Sequence, residues 1–229
     1  MALEYVIDVE STGLTEDDRI VELGAVEIVD RKITGRVFQS YVNPECSVDR
    51  EAFEVHGLSD EFLRDKPLFS VAGREFLNFI KGGVVVAHNA GFDVGFIDRE
   101  IALAGGTTRL ATFCEGIIDT VPLARSVFPG QRNSLDALCK RYKIDLKGRE
   151  LHGALHDCQL LAMVYLLLTQ TQNALSLSEQ DSGAEHLPAF NPAEYPPLVV
   201  TSLTENQLSE HNAYLKRLNS ACEQGHVDW

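Results

Sequence analysis

Apolar residues along the first 170 positions follow two alternating patterns. Short runs rich in β-branched and aromatic residues predict strands at Tyr5 to Asp8, Arg19 to Val29, Ile33 to Val42 and Val84 to Ala87, with another near Ile117 and Ile118. Longer stretches with apolar residues three and four apart predict helices at Val71 to Ile80, Phe92 to Leu103, Ser134 to Tyr142 and Leu155 to Leu168. Only the turn-like Asp30-Arg31-Lys32 separates the second and third strands. Three strands in sequence, followed by strands alternating with helices, predict an α/β domain: a mixed sheet, antiparallel meander plus parallel strands, flanked by helices. The pattern leaves the strand order open.

Beyond Thr169 the composition changes. Ser176, Ser178, Ser182 and Gly183, then Pro188, Pro192, Pro196 and Pro197 among acids, cannot build a core. Residues 1–170 are therefore one domain, 171–197 a flexible linker and 198–229 a tail. In the tail, Thr204-Glu205-Asn206-Gln207 has the form of a capping box, and Leu208, Leu215, Leu218 and Cys222 lie on one side of the helix that it starts. About thirty residues with one apolar stripe are too few to fold alone, so the tail should dock on something.

The candidate chemistry sits in three short segments: Asp8-Val9-Glu10-Ser11-Thr12-Gly13, His88-Asn89-Ala90-Gly91-Phe92-Asp93 and His152-Gly153-Ala154-Leu155-His156-Asp157. The first continues a strand, where side chains alternate with period two, so Asp8 and Glu10 point the same way. Two carboxylates side by side repel unless cations sit between them, and hard divalent ions such as Mg²⁺ or Mn²⁺ favour oxygen ligands. With 34 acids in 229 residues, such a pair alone is a weak signal. Asp157 adds weight, because it shares a buried helical stripe with Leu160, Leu161, Val164 and Leu168, where a lone carboxylate is costly. A cation held jointly with Asp8 and Glu10 would remove that cost. Asp93 falls in a first helical turn just beyond a strand end, where sites of α/β sheets collect. His152 precedes Asp157 at the start of its helix and is the candidate general base. The five residues together read as a two-metal phosphodiesterase site.

These segments, with Glu51-Ala52-Phe53-Glu54-Val55-His56-Gly57-Leu58, the stretch from Phe128 to Cys139 and Leu151 to Leu155, resemble the DEDDh-type 3′→5′ exonucleases, most closely the proofreading epsilon subunits of bacterial DNA polymerase III. The likeness covers the first 170 residues and is fainter in the tail. It implies a ribonuclease H-like fold and two-metal hydrolysis of the 3′-terminal phosphodiester of a single-stranded or frayed DNA end, releasing nucleoside monophosphates. By the same resemblance Asp8, Glu10 and Asp157 hold the ion that activates water. Asp8, with Asp93 through water, holds the second, and His152 takes the proton. Thr12, His56, Asn89 and Phe92 match substrate-binding positions, and His88 lies at the strand end; for His56 and His88, packing and loop hydrogen bonding are equal alternatives. The family usually carries threonines where Val9 and Ser11 stand, and an apolar residue at His156. Ser11 keeps a hydroxyl, and Val9 points away from the acidic face. Neighbours on a helix diverge by about 100°, so His156 reads as a partly exposed helix histidine rather than the base.

The resemblance also implies partners. Gln172-Asn173-Ala174-Leu175-Ser176-Leu177 resembles the short motifs that bind sliding clamps, with Gln172, Leu175 and Leu177 as anchors; fraying of the preceding helix is an equal alternative. Leu208, Leu215, Leu218 and Trp229, the only tryptophan, predict docking on the catalytic subunit of a replicative polymerase. A small accessory subunit is a further partner left open. A net charge of −14 argues against a broad DNA-binding surface and for shallow contact through metals, backbone N–H groups and aromatics such as Phe92. The longest apolar run, Leu160 to Leu168, is too short to span a bilayer, and Met1-Ala2-Leu3-Glu4 leads straight into a strand without a signal-type stretch. A cytoplasmic protein is expected. Cys46, Cys114, Cys139, Cys158 and Cys222 show no paired metal-ligand spacing and read as reduced. Two alternatives stand beside this reading. A free-standing DNA- or RNA-trimming exonuclease is opposed by the linker and docking helix. A catalytically inactive structural subunit of the replisome is opposed by the presence of all five site residues.

Overall fold

The computed structural model describes residues 2–15, 17–145, 151–180 and 204–221, with backbone alone for 171–180 and 218–221. Five strands form one sheet: β1 (Leu3–Ser11), β2 (Ile20–Val29), β3 (Lys32–Tyr41), β4 (Val84–Ala87) and β5 (Gly116–Asp119), in the order β3-β2-β1-β4-β5. β1, β2 and β3 pair antiparallel, whereas β4 runs parallel to β1 and β5 parallel to β4. This is the predicted meander joined to parallel strands.

Strand alternation divides the core in two. Tyr5, Ile7, Val9, Leu23 and Ala25 face one way, under α3 (Phe69–Phe79) and α4 (Ala90–Leu103), and meet Phe76, Phe96 and Ile97. Val6, Val26 and Ile28 face the other way, against Cys158, Leu161 and Tyr165 of α7 (Ala154–Gln180). Leu160, Val164 and Leu168 of α7 turn instead toward α5 (Thr120–Val127) and α6 (Leu135–Tyr142), packing on Ala124 and Leu138. The first half of α7 is thus covered on two sides, which explains its nearly unbroken apolar run. Truncating a fully buried side chain here, such as Leu161, costs about 2–5 kcal/mol.

The lengths of the strands open the space for a site. β1 pairs with β4 only over Glu4 to Val6, while β2 accompanies it as far as Ser11. Asp8 to Ser11 therefore run on past the end of β4, where α4 begins. Asn89 makes that turn in the left-handed region (φ 69°), which asparagine tolerates better than most residues, and its N–H donates to Asp119 Oδ1 at the end of β5 (3.0 Å).

Three helices escaped the apolar spacing: α1 (Arg50–His56), α2 (Asp60–Leu63) and α5. The first two are too short to show a period, with Phe53, Val55 and Phe62 exposed, and α5 carries Pro122 in its first turn, where a missing N–H is tolerated. A larger difference concerns α7, which continues to Gln180 although the linker was expected from 171. Gln172 to Leu177 accordingly lie in the last helical turns rather than in an extended segment. The helix α8 (Glu205–Ala221) begins with the expected reciprocal cap: Thr204 N donates to Gln207 Oε1 (3.0 Å), and Gln207 N to Thr204 Oγ1 (3.4 Å). Residues 1–181 and 182–229 form two separate units, and the remaining linker, 181–197, lies outside the described residues.

Candidate active site

Asp8 and Glu10 leave β1 on the face that looks toward α7, as strand parity requires. Across the ladder Asp8 stands opposite Gly24 and Glu10 opposite Glu22. A Cβ at position 24 would lie 2.5 Å from the carbonyl carbon of Ala154, so only glycine lets the N-terminus of α7 settle on the sheet beside Asp8. That approach brings in Asp157, in the first turn of α7 and buried. Asp93, in the first turn of α4 and also buried, comes from the opposite layer, and its Oδ1 accepts a hydrogen bond from Val9 N (3.2 Å). Single ligand atoms of Glu10, His152 and Asp157 lie within 4.8 Å of one another.

Charge crowding is the dominant physical feature of this cluster. Burial pushes the Asp8 carboxyl well above its ordinary range, and the negative charges of Asp93, Glu10, Asp157 and Glu22 push it further. Burial likewise raises Asp93 to about 7, against the hydrogen bonds it accepts from its own N–H and from Val9. Glu22 is raised by burial, with hydrogen bonds from Gln39 and Ala154 opposing. Carboxylate oxygens from three elements, held together at this cost, fit a hard divalent cation, which removes both the repulsion and the desolvation penalty.

The histidines separate clearly. His152 Nδ1 lies 3.0 Å from Asp157 Oδ2, its backbone N–H donates to Val55 O (2.9 Å), and its side chain is 45 % exposed, open to water from the site. His156 is partly covered, as expected, but its Nε2 is buried without a hydrogen-bond partner, so it is less solvated than a surface histidine. His56 is buried; its Nδ1 accepts from Leu58 N (3.0 Å), which leaves Nε2–H to donate to Ser11 O (3.2 Å). His88 Nδ1 pairs with Thr120 Oγ1 (2.8 Å), and its ring also bonds the backbone of Asn133, tying the loop before α6 to the end of β4. Burial lowers the pKa of both His56 and His88, so both are neutral near pH 7.

Beside the acids lies a groove of about 430 Å³ lined by Glu10, Leu14, Val55, His56 and Phe92 among others. The length of α1, the first turn of α4, and the end of β1 with the segment after it form its walls. That segment is braced from behind. Asp18 accepts from Thr12 Oγ1 and from both N and Oγ1 of Thr15 (all 2.7 Å), and Arg99 reaches the carbonyls of Thr15 and Asp18. Arg19 makes a two-pronged pair with the buried Glu100 (2.7 and 2.9 Å). Thr12 belongs to this bracing: the residue is 1 % exposed and its hydroxyl is taken by Asp18 and Arg19 N, so it stands behind the groove wall rather than on it. Phe92 lines the groove and packs on Phe96, while Asn89 serves the turn at the end of β4.

Glu22 is a buried acid beside the cluster that the sequence patterns above did not single out. The signal was available, since Glu22 shares strand parity with Gly24, Val26 and Ile28 and is an acid on an otherwise buried face, the same anomaly that marked Asp157. In the tail, Leu208 is exposed and Leu215 partly covered on α8. The side chains of Gln172, Leu175, Leu177 and Leu218, and Trp229 as a whole, lie outside the described residues. Among the described residues no helix is long and apolar enough to cross a membrane.

Comparison with known proteins shows the family. Residues 5–165 match the exonuclease family RNase_T. The chain is 41 % identical over 220 residues to the DNA polymerase III subunit epsilon of Rickettsia conorii, covering 94 % of this chain and 96 % of that one. It is 42 % identical over 224 residues to the subunit of the same name from Escherichia coli K12, covering 93 % and 91 %. Among solved structures, exonuclease X in complex with 5′ overhanging duplex DNA superposes with a TM-score of 0.58 at 27 % identity, covering 74 % of this chain and 93 % of that one.

Proposed function

The chain belongs to the exonuclease family that includes the epsilon subunits of DNA polymerase III, and from that premise we propose that it is a proofreading 3′→5′ exonuclease of a replicative DNA polymerase. The observation that carries the reading is the convergence of Asp8, Glu10, Asp93 and Asp157 from three elements around one point, with His152 against Asp157 and a nucleotide-sized groove alongside. Two divalent cations, Mg²⁺ or Mn²⁺, held by Asp8, Glu10 and Asp157 and, through water, by Asp93, would neutralise charge developing on the scissile phosphate and acidify the attacking water.

The remaining work falls to the side chains. With Nδ1–H donating to Asp157, His152 presents Nε2 as the basic nitrogen, which takes the proton of the attacking water. The groove wall at Leu14, Val55 and Phe92 packs against the terminal base and sugar, where an apolar surface suits a ring better than a phosphate. His56, neutral and locked by Leu58 and Ser11, holds that wall in place. The products are nucleoside monophosphates and a shortened 3′ end.

A net charge of −14 supports dependence on a partner for affinity toward the duplex. Docking of α8 on the polymerase catalytic subunit is supported by exposed Leu208 and Tyr214, with a tether setting the effective concentration of the nuclease at the primer end. The Gln172 to Leu177 segment is the candidate clamp contact. Digestion of 3′-labelled paired and mispaired DNA, and of matching RNA, by the purified chain tests the reading. Faster release of mispaired than of paired termini, with Mg²⁺ or Mn²⁺ and not with chelator, is the expected result. Cleavage of RNA alone would replace it with an RNA-trimming role, and cleavage of neither with a structural one.

A further inference from the structure

We propose that Glu22 is a positioning residue: its carboxylate, reaching from β2 to cap the N-terminus of α7, sets where Asp157 and His152 stand relative to Asp8 and Glu10. The assignment of those four as the reacting set rests on the function proposed above; the capping contact itself does not.

The first backbone N–H groups of a helix have no partner inside it and need an acceptor. At α7 the residue before the helix is Gly153, which has no side chain to serve. Glu22, 132 positions away, takes its place: Oε2 accepts from Ala154 N (3.1 Å), and the carboxylate also accepts from Leu155 N. Its Oε1 accepts from Gln39 Nε2 on β3 (2.7 Å). Three donors converge on one side chain, 2 % exposed, and an ionised carboxylate is the one side-chain group of this size that offers acceptors only. An amide at this position would turn its own N–H groups toward one of those donors.

The cap stands directly beside the reacting groups. Asp157 N donates to Gly153 O (2.9 Å), the first complete turn of α7, and His152 lies just before it. Gly24 lets this turn approach the sheet but does not hold it there; Glu22, its neighbour on the same strand face and opposite Glu10 in the ladder, does. A shift of this turn would move Asp157 and His152 together away from β1. Misplacement by about 1 Å can slow a reaction by about 10²-fold.

The test uses the full chain. In Glu22→Ala, amide exchange at Ala154 and Leu155, read by NMR in metal-free protein, should speed up at least about tenfold with the thermal melt still cooperative. The kcat on a short 3′-labelled single strand should fall about 10²-fold while KM stays within about twofold. A Cβ at Gly153 would meet nothing nearer than Glu22 Oε2 at 3.8 Å, so Gly153→Ser fits there. Added to Glu22→Ala, this local cap, whose hydroxyl reaches Leu155 N, should restore the amide protection of Leu155 and most of kcat. If Glu22→Ala melts without cooperativity, Glu22→Gln is read by the same measurements. Unchanged amide protection in the variant overturns the proposal, as does a Gly153→Ser double variant that regains protection without regaining kcat. A wild-type chain without exonuclease activity, with Glu22→Ala still losing protection, would instead refute the proposed function and leave the cap standing.

Discussion

Replacing Asp93 with asparagine removes one negative charge from the site while keeping an Oδ1 to accept the hydrogen bond from Val9 N. In the wild-type chain without metal, that charge is held at a cost, because burial lifts the Asp93 pKa from an ordinary 3.8 to about 7. A carboxyl raised in this way is protonated in both folded and unfolded chains below about pH 4, where it costs nothing. Above that, the unfolded chain ionises first, so folding stability falls as pH rises, and the loss is complete once pH exceeds the folded value of about 7. The full penalty is roughly 4 kcal/mol, at about 1.4 kcal/mol per tenfold, and about half of it accrues between pH 5.5 and pH 8. Asp93 is 3 % exposed, so solvent does little to screen it. Urea unfolding in EDTA should show the stability advantage of Asp93→Asn growing by about 2 kcal/mol from pH 5.5 to pH 8. Divalent metal should act in the opposite sense, stabilising the wild type by about 2.7 kcal/mol at a hundredfold excess over Kd and the variant by less. Parallel stability curves for the two chains across this pH range would refute the reasoning.

His152→Ala should slow hydrolysis about 10²–10⁴-fold, whereas His156→Leu should leave the rate near normal and raise stability by about 1 kcal/mol by removing a buried unpartnered nitrogen; steady-state kinetics and urea unfolding of the two variants check both. Glu100→Gln breaks the two-pronged pair with Arg19 and should cost about 1–3 kcal/mol and raise KM for short single strands through a loosened wall at Leu14, with kcat little changed; an unaltered KM would remove the bracing role. Truncation after Asp181 should leave hydrolysis of short single strands intact and abolish co-elution with the polymerase catalytic subunit at micromolar concentration; persistent co-elution would move the interface to the catalytic domain.

Much of the site was legible residue by residue. Period-two alternation in β1 put Asp8 and Glu10 on one face, and an acid on the apolar stripe of α7 singled out Asp157; both sit where those local rules place them. The capping box at Thr204 was readable for the same reason, since it involves neighbours along the chain. The reading failed at one boundary: the serines after Thr169 spoke for a linker, yet the backbone continues as α7 to Gln180.

Local periodicity determines which way a side chain points from its own element, and on that basis the sequence alone marked out an α/β sheet with acids at the end of its first strand. It does not say which elements become neighbours. The order β3-β2-β1-β4-β5, the arrival of Asp93 at Val9 across 84 positions and the capping of Ala154 by Glu22 across 132 were decided only in the folded chain. The physical reason is that burial energy depends on total apolar area and is nearly indifferent to partner identity. The partner is selected instead by shape and by hydrogen-bond satisfaction: Gly24 gives α7 room to approach, and Glu22 supplies the acceptor that its first turn lacks.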